Sequence, residues 1–474
     1  MRLFDVAARQ ALLSWAAKAY LAALGFTVLS YGAVSEAPLS LSVIAFALLT
    51  GVSLIRPVAN FATGRLYATT ILLLAALLGY VILQALPIAG GFANEAWKSV
   101  NDLVSPVQGA ISVAPAMTLD AIPRLALPFL VFLSALALFQ GDAEALMLWR
   151  ALAYFGTGYA VFGILQEVFF PGQLLFADKK FYLGALTATF VNRNTAGTFF
   201  GIALILNLGL LFYHLRKIQI SNFAKKVIAF DVGWPDNHAL LLLHALFSLT
   251  VAVALFLTQS RGAIGASFIG AVASVALMSS RSLTADKPDN QSQYWHRYAK
   301  FLAGALVVIG LFALFAGRSV YRMEEQGYED GRWCSFASTI AAIKDHPVVG
   351  TGFGAFQDVF PAYRNAECTG IYGVWDRAHN FFLEGYLGLG LPFALATLIS
   401  YIALVGCCVR GLRSRRRFRF VPVMGLAALI LVSMHSIVDF SVQIPGVAVY
   451  FAAMIAPVVT ISSGGGLPQL RARG

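Results

Sequence analysis

Two arginines stand where an anion could be held. Arg193 lies in FVNRNTAGTFFG, at the outer end of a long apolar run, between Asn192 and Asn194 and ahead of the small residues Ala196 and Gly197. Arg261 lies in LTQSRGAIG, in a tight turn between two apolar runs. Gln259 and Ser260 add donors there, and Gly262 allows close backbone approach. The helix that follows begins at this turn, so its positive dipole end adds to the guanidinium, a combination that suits phosphate. Arginines at the membrane surface that reach to water leave the same signature, so both readings stand on position alone.

A third candidate is His379, which with Asn380 opens another apolar run, Glu384 following one turn on. Asn380 and Glu384 share a helix face, and Asp376 can meet His379 at i,i−3. A histidine at the mouth of a membrane helix can position or deprotonate a hydroxyl, since imidazole titrates near neutrality. A merely interfacial histidine looks the same. Asp376, Asn380 and Glu384 are the candidates to orient the imidazole, and Glu384 is the reserve candidate for the base. His435 and Asp439 form an i,i+4 pair whose expected role is structural hydrogen bonding. GTGFGAF, at residues 350–356, lacks a strand–helix context for nucleotide binding and reads as a tight turn that lets backbone approach a helix or a substrate. Cys334 and Cys368 are expected to form a disulfide in an external loop, whereas Cys407 and Cys408 sit at a cytoplasmic helix end and are expected to be reduced. With no CxxC, no DxD and no His/Cys cluster, no metal is expected.

The elements that must carry these residues follow from composition. The chain has 474 residues, 59% hydrophobic and 12% charged, against about a quarter charged for soluble domains. Apolar runs near 20 residues recur throughout, long enough to cross a hydrocarbon core of about 30 Å. The expected fold is an all-α polytopic membrane protein, since a membrane barrel would show short alternating segments. Twelve spans are expected, near 11–34, 39–55, 67–88, 124–140, 150–168, 191–214, 239–258, 262–279, 300–317, 381–405, 420–438 and 445–462. The net charge of +11 resides mostly in loops on one side, with both termini and the basic cluster at 410–419. That side is therefore cytoplasmic, which argues against nucleic acid as a partner. The first apolar run follows Arg2 and Arg9 and fits a membrane helix better than a cleavable signal. The expected division is spans one to nine in 1–317, a large external loop in 318–380, and spans ten to twelve with a cytoplasmic tail in 381–474. Inside the loop, 332–346 is expected to be an amphipathic helix presenting Trp333, Phe336, Ile340 and Ile343 and stopped by Pro347. Glu324, Glu325, Glu329 and Asp330 read as a solvated face.

Taken together, FVNRNTAGTF, TQSRGAIGA, the DHPVVGTGFGAF run, AHNFFLEGYLGLGLP and HSIVDFSVQIP resemble, in order, the O-antigen ligase and polymerase superfamily of bacterial envelope glycosyltransferases. The resemblance spans roughly residues 190–446. It implies a GT-C-like fold of about twelve spans with a large periplasmic loop containing short helices, in the inner membrane with the active site facing the periplasm. It further implies transfer of a glycan from undecaprenyl pyrophosphate to a sugar hydroxyl, without metal or other cofactor. On this resemblance Arg193 and Arg261 bind the pyrophosphate, and His379 is the functional loop histidine. The acceptor is either another lipid-linked repeat unit (polymerase) or lipid A–core (ligase). The HSIVDFSVQIP ending and the extended first external loop favour the polymerase. A lipid-linked oligosaccharide flippase is the alternative of another class. It accounts for twelve spans and buried arginines but not for the large loop.

Overall fold

Apolar segments in lipid must satisfy their backbone hydrogen bonds internally, and this chain does so with helices. The computed structural model describes residues 2–87, 90–103, 107–218, 236–284, 331–365 and 373–464. In chain order its helices are α1 (Arg2–Leu29), α2 (Glu36–Ser53), α3 (Phe61–Ala85), α4 (Ala96–Leu103), α5 (Pro115–Asp120), α6 (Ile122–Leu138), α7 (Gly141–Phe169), α8 (Arg193–Leu215), α9 (Asp236–Leu257), α10 (Arg261–Thr284), α11 (Gly331–Asp345), α12 (Phe356–Tyr363), α13 (Phe381–Leu389), α14 (Leu391–Ser414), α15 (Phe420–Ser436) and α16 (Pro445–Ser463). Among the described residues, nine helical segments are long and apolar enough to cross a membrane, and a two-stranded hairpin is the only sheet. The protein is a multi-pass helical membrane protein. The expected span at 300–317 and the acidic run at 324–330 lie outside the described residues, as does Cys368. Cys334 is disulfide-bonded, and Cys407 and Cys408 are free and buried.

The chain divides into two compact units. One comprises Met1–Leu138, Tyr321–Gly406 and Met434–Ala452, the other Phe139–Val320, Cys407–Ser433 and Ala453–Gly474.

In the first unit the expected span at 381–405 is broken. Gly390 has φ 64, ending α13 and letting α14 start afresh. The break receives the glycine turn. Thr351 N–H donates to Leu387 O (2.8 Å), Gly352 N–H to Gly388 O (3.1 Å), and Leu391 N–H to Val348 O (2.9 Å). Gly350 also has positive φ, and a Cβ there would collide with the Gly388 carbonyl. The turn thus brings backbone against a helix end, one of the two expected uses.

Gln84, in α3, ties this junction together. Its Nε2 donates to Val349 O (2.8 Å) and Gly388 O (2.9 Å), and its Oε1 accepts from Phe353 N–H (3.2 Å). Its side chain is 0% exposed. Gln84→Ala would take the acceptor from the Phe353 N–H, whereas Val349 O keeps the Tyr80 hydroxyl (2.8 Å) and Gly388 O keeps the Gly352 N–H (3.1 Å). The variant is expected to be less stable by about 1–3 kcal/mol, the cost of one unsatisfied buried donor, read as a lower unfolding midpoint in lipid nanodiscs. A midpoint equal to wild type would show that water or backbone adjustment replaces the glutamine.

Helix α11 forms where expected, but its buried face differs. Ser335, Phe336, Ser338, Thr339 and Ala342 face inward, whereas Trp333 and Ile340 are 65% and 41% exposed. Small side chains let α11 approach α12 and α13 closely. The face expected from the large apolar residues shares Phe336 and Ile343 with this one and is offset from it at Trp333 and Ile340.

In the second unit, α8 is the central helix. Trp149 in α7 donates to Leu206 O (3.1 Å), and Asn207 Nδ2 donates to Ala153 O and Thr157 Oγ1 (3.3 and 3.2 Å). Buried Tyr159, Phe190 and Phe199 pack edge to face, a favoured aromatic geometry. After α7 the chain makes a hairpin, Gln173–Leu174 against Ala177–Asp178. Lys179 then turns inward. Its Nζ donates to Glu167 Oε2 (2.8 Å) and Ala185 O (2.7 Å), fastening the loop to the end of α7.

Candidate active site

The second unit brings Arg193 and Arg261 to the starts of two helices packed side by side. Asn192 caps α8 by accepting from Asn194 N–H (2.7 Å), so Arg193 is the first helical residue. Arg261 is the first residue of α10. The two helix starts are coupled by one bond, from Ser260 Oγ to Asn194 Oδ1 (2.8 Å), both residues being buried. Gly197 permits this approach, for a Cβ there would lie 2.6 Å from Ala263 Cβ.

Two helix N-termini place their positive dipole ends side by side, each beginning with an arginine. Arg261 is exposed and Arg193 partly exposed, so a ligand can reach both. Two further contacts shape the cluster. The Arg193 guanidinium lies 5.3 Å from the centre of the Tyr182 ring, within cation–π range. Gln259, at φ 54, donates to Gly184 O (2.6 Å) and pins the same loop over the turn. The arginines, Asn192, Asn194 and Ser260 were legible in the sequence. Tyr182 was not, because nothing local marks a tyrosine eleven positions upstream as a platform for Arg193.

The first unit holds the other candidates. His379 has φ 55, in the left-handed region, and its ring packs between Trp375 and Phe440, with centroids 5.2 and 4.9 Å away. Asn380 caps α13, its Oδ1 accepting from Phe382 and Leu383 N–H (3.0 Å each), and its Nδ2 donates to Ile437 O (2.7 Å). Glu384 is buried and has both oxygens engaged. Oε1 accepts from Arg377 Nη1 (3.0 Å) and Oε2 from Ala378 N–H (2.8 Å). Burial pushes its carboxyl above the ordinary carboxylate range, while Arg377 and the Ala378 N–H pull it back. Arg377 also reaches Gln443 Oε1 (3.3 Å).

The expected orienting of His379 by Asn380 or Glu384 therefore takes another form. Both side chains fix the backbone on either side of His379. Asp376 is exposed. Arg377 escaped the sequence reading, although its place in WDRAHN, beside a histidine at a helix start, was a usable signal. His435 and Asp439 are buried, and Asp439 accepts from Ser441 N–H (2.9 Å), a structural bond. Among the described residues, no three His, Cys, Asp or Glu side chains are gathered as a metal site would require.

Nine long apolar helical segments among the described residues define a polytopic membrane protein. Residues 246–398 match the family model described as O-antigen ligase, so the chain carries that domain, which supports its place in the O-antigen ligase superfamily. The matched stretch contains Arg261, His379 and Glu384, whereas Arg193 lies before it. The family implies a membrane glycosyltransferase-type enzyme. No curated protein matches the chain.

Proposed function

We propose that this protein is an inverting glycosyltransferase of the bacterial inner membrane. It takes a glycan from undecaprenyl pyrophosphate on the periplasmic face and polymerises lipid-linked repeat units. The observation that carries the reading is the coupling of Arg193 and Arg261 through Asn194 and Ser260. It supports a diphosphate held at two helix starts, in a chain with an O-antigen ligase domain.

In the reaction the acceptor hydroxyl oxygen attacks the anomeric carbon, and the bond from that carbon to the pyrophosphate oxygen breaks with inversion. The two arginines offset the charge that develops on the departing undecaprenyl pyrophosphate. His379 orients the acceptor and takes its proton. Undecaprenyl pyrophosphate is already a good leaving group, so no acid is needed on that side.

The alternative reading is a ligase that uses lipid A–core as acceptor, and the family model is described as O-antigen ligase. Purified protein in nanodiscs, given lipid-linked repeat units alone or with lipid A–core, separates the readings. Longer lipid-linked glycan is expected from repeat units alone. Transfer only to lipid A–core would make the protein a ligase, and no transfer to either would remove the glycosyltransferase reading.

A further inference from the structure

We infer, on the reading that His379 meets the acceptor hydroxyl, that Glu384 and Arg377 form a clasp fixing the turn at His379, and that Glu384 is a positioning residue and not a proton acceptor. His379 adopts φ 55, a conformation that non-glycine residues leave unless the surroundings hold them there. The surroundings here are specific. Before the turn, the Ala378 N–H is held by Glu384 Oε2 (2.8 Å), and the Ala378 carbonyl accepts from Ser335 Oγ (3.4 Å). After it, Asn380 caps α13 and binds Ile437 O. Glu384 belongs to that same helix, and its N–H donates to Asn380 O (3.0 Å). One side chain thus closes a ring from the helix back to the residue just before His379.

The second oxygen of Glu384 is held by Arg377 (3.0 Å), which Gln443 in turn braces (3.3 Å). A carboxylate with one oxygen on a backbone N–H and the other on a guanidinium is poorly placed to accept a substrate proton. It is well placed to hold a strained backbone, because charge-assisted bonds are the stronger kind. A buried charge without its partner is costly, and the Arg377 ion pair offsets the burial of the Glu384 carboxyl.

Two variants distinguish positioning from proton transfer. Glu384→Gln keeps an oxygen for the Ala378 N–H and loses the ion pair, whereas Glu384→Ala loses both. With lipid-linked repeat units as substrate, Glu384→Gln is expected to keep turnover within about tenfold of wild type. Glu384→Ala is expected to lose about a hundredfold in kcat with KM for the acceptor little changed, the general-base range beginning near that value. Equal, near-complete loss in both variants would overturn the clasp and make the carboxylate itself essential.

A second readout needs no turnover. His379 modification by diethyl pyrocarbonate, followed by mass spectrometry, is expected to be faster in Glu384→Ala than in wild type and unchanged in Glu384→Gln. Equal rates in all three proteins would show that Glu384 does not hold the turn. If wild type itself fails to transfer glycan, the proposed function falls, and the modification rates still decide the clasp.

Discussion

Arg193→Lys and Arg261→Lys are each expected to lower glycan transfer by on the order of 10²–10³, the usual loss when one fixed donor to a developing anion is removed. Both variants should still insert and fold. The charge is kept, so the loss isolates geometry. An arginine fork can place two parallel N–H bonds on a phosphate, whereas an ammonium is a point charge. Arg193 has an added demand, since its planar group lies against Tyr182 and a lysine stacks there less well. Arg261 is exposed and opens α10 directly. The neighbouring bond from Ser260 to Asn194 should survive both changes, because neither arginine makes it. The measurement is initial rate of glycan product in nanodiscs, alongside donor binding. Near-normal product from both lysine variants would remove the diphosphate role.

His379→Asn is expected to keep donor binding and to lose turnover by about 10²–10⁴-fold, the usual share of general-base help. Asparagine is the informative replacement. It is among the residues that tolerate the left-handed region, so the backbone at φ 55 is preserved while the imidazole is lost. The competing role is a third cation for donor phosphate. Loss of donor binding in His379→Asn, with whatever residual rate remains proportional to bound donor, would assign His379 to the phosphate instead. Wild-type turnover would leave it with a structural role, packed between Trp375 and Phe440.

Much of this was written locally in the chain. The apolar runs set most helices to within a few residues, because a run of that length in lipid has few other ways to satisfy its backbone. Arg193, Arg261 and Asn380 could be placed at helix starts from capping residues and turn composition, which act over four or five positions. The glycines of GTGFGAF announced a close backbone approach.

Partners across the chain were decided only by the fold. Gln84 lies 265 residues from Val349 and 304 from Gly388, and a lone glutamine in an apolar helix carries no mark of what it will bind. The same holds for Tyr182 beneath Arg193, and for Gln443 bracing Arg377. The break at Gly390 was also hidden, since YLGLGLP is as apolar as an unbroken span and only the incoming turn at 348–352 makes use of it. Glu384 shows the difference most directly. Its i,i+4 relation to Asn380 was readable, because helix geometry fixes which side chains share a face. Whether its carboxylate would accept a proton or hold a backbone depended on Arg377 and the Ala378 N–H. Those groups reach it only because the left-handed turn at His379 folds the preceding residues back over α13.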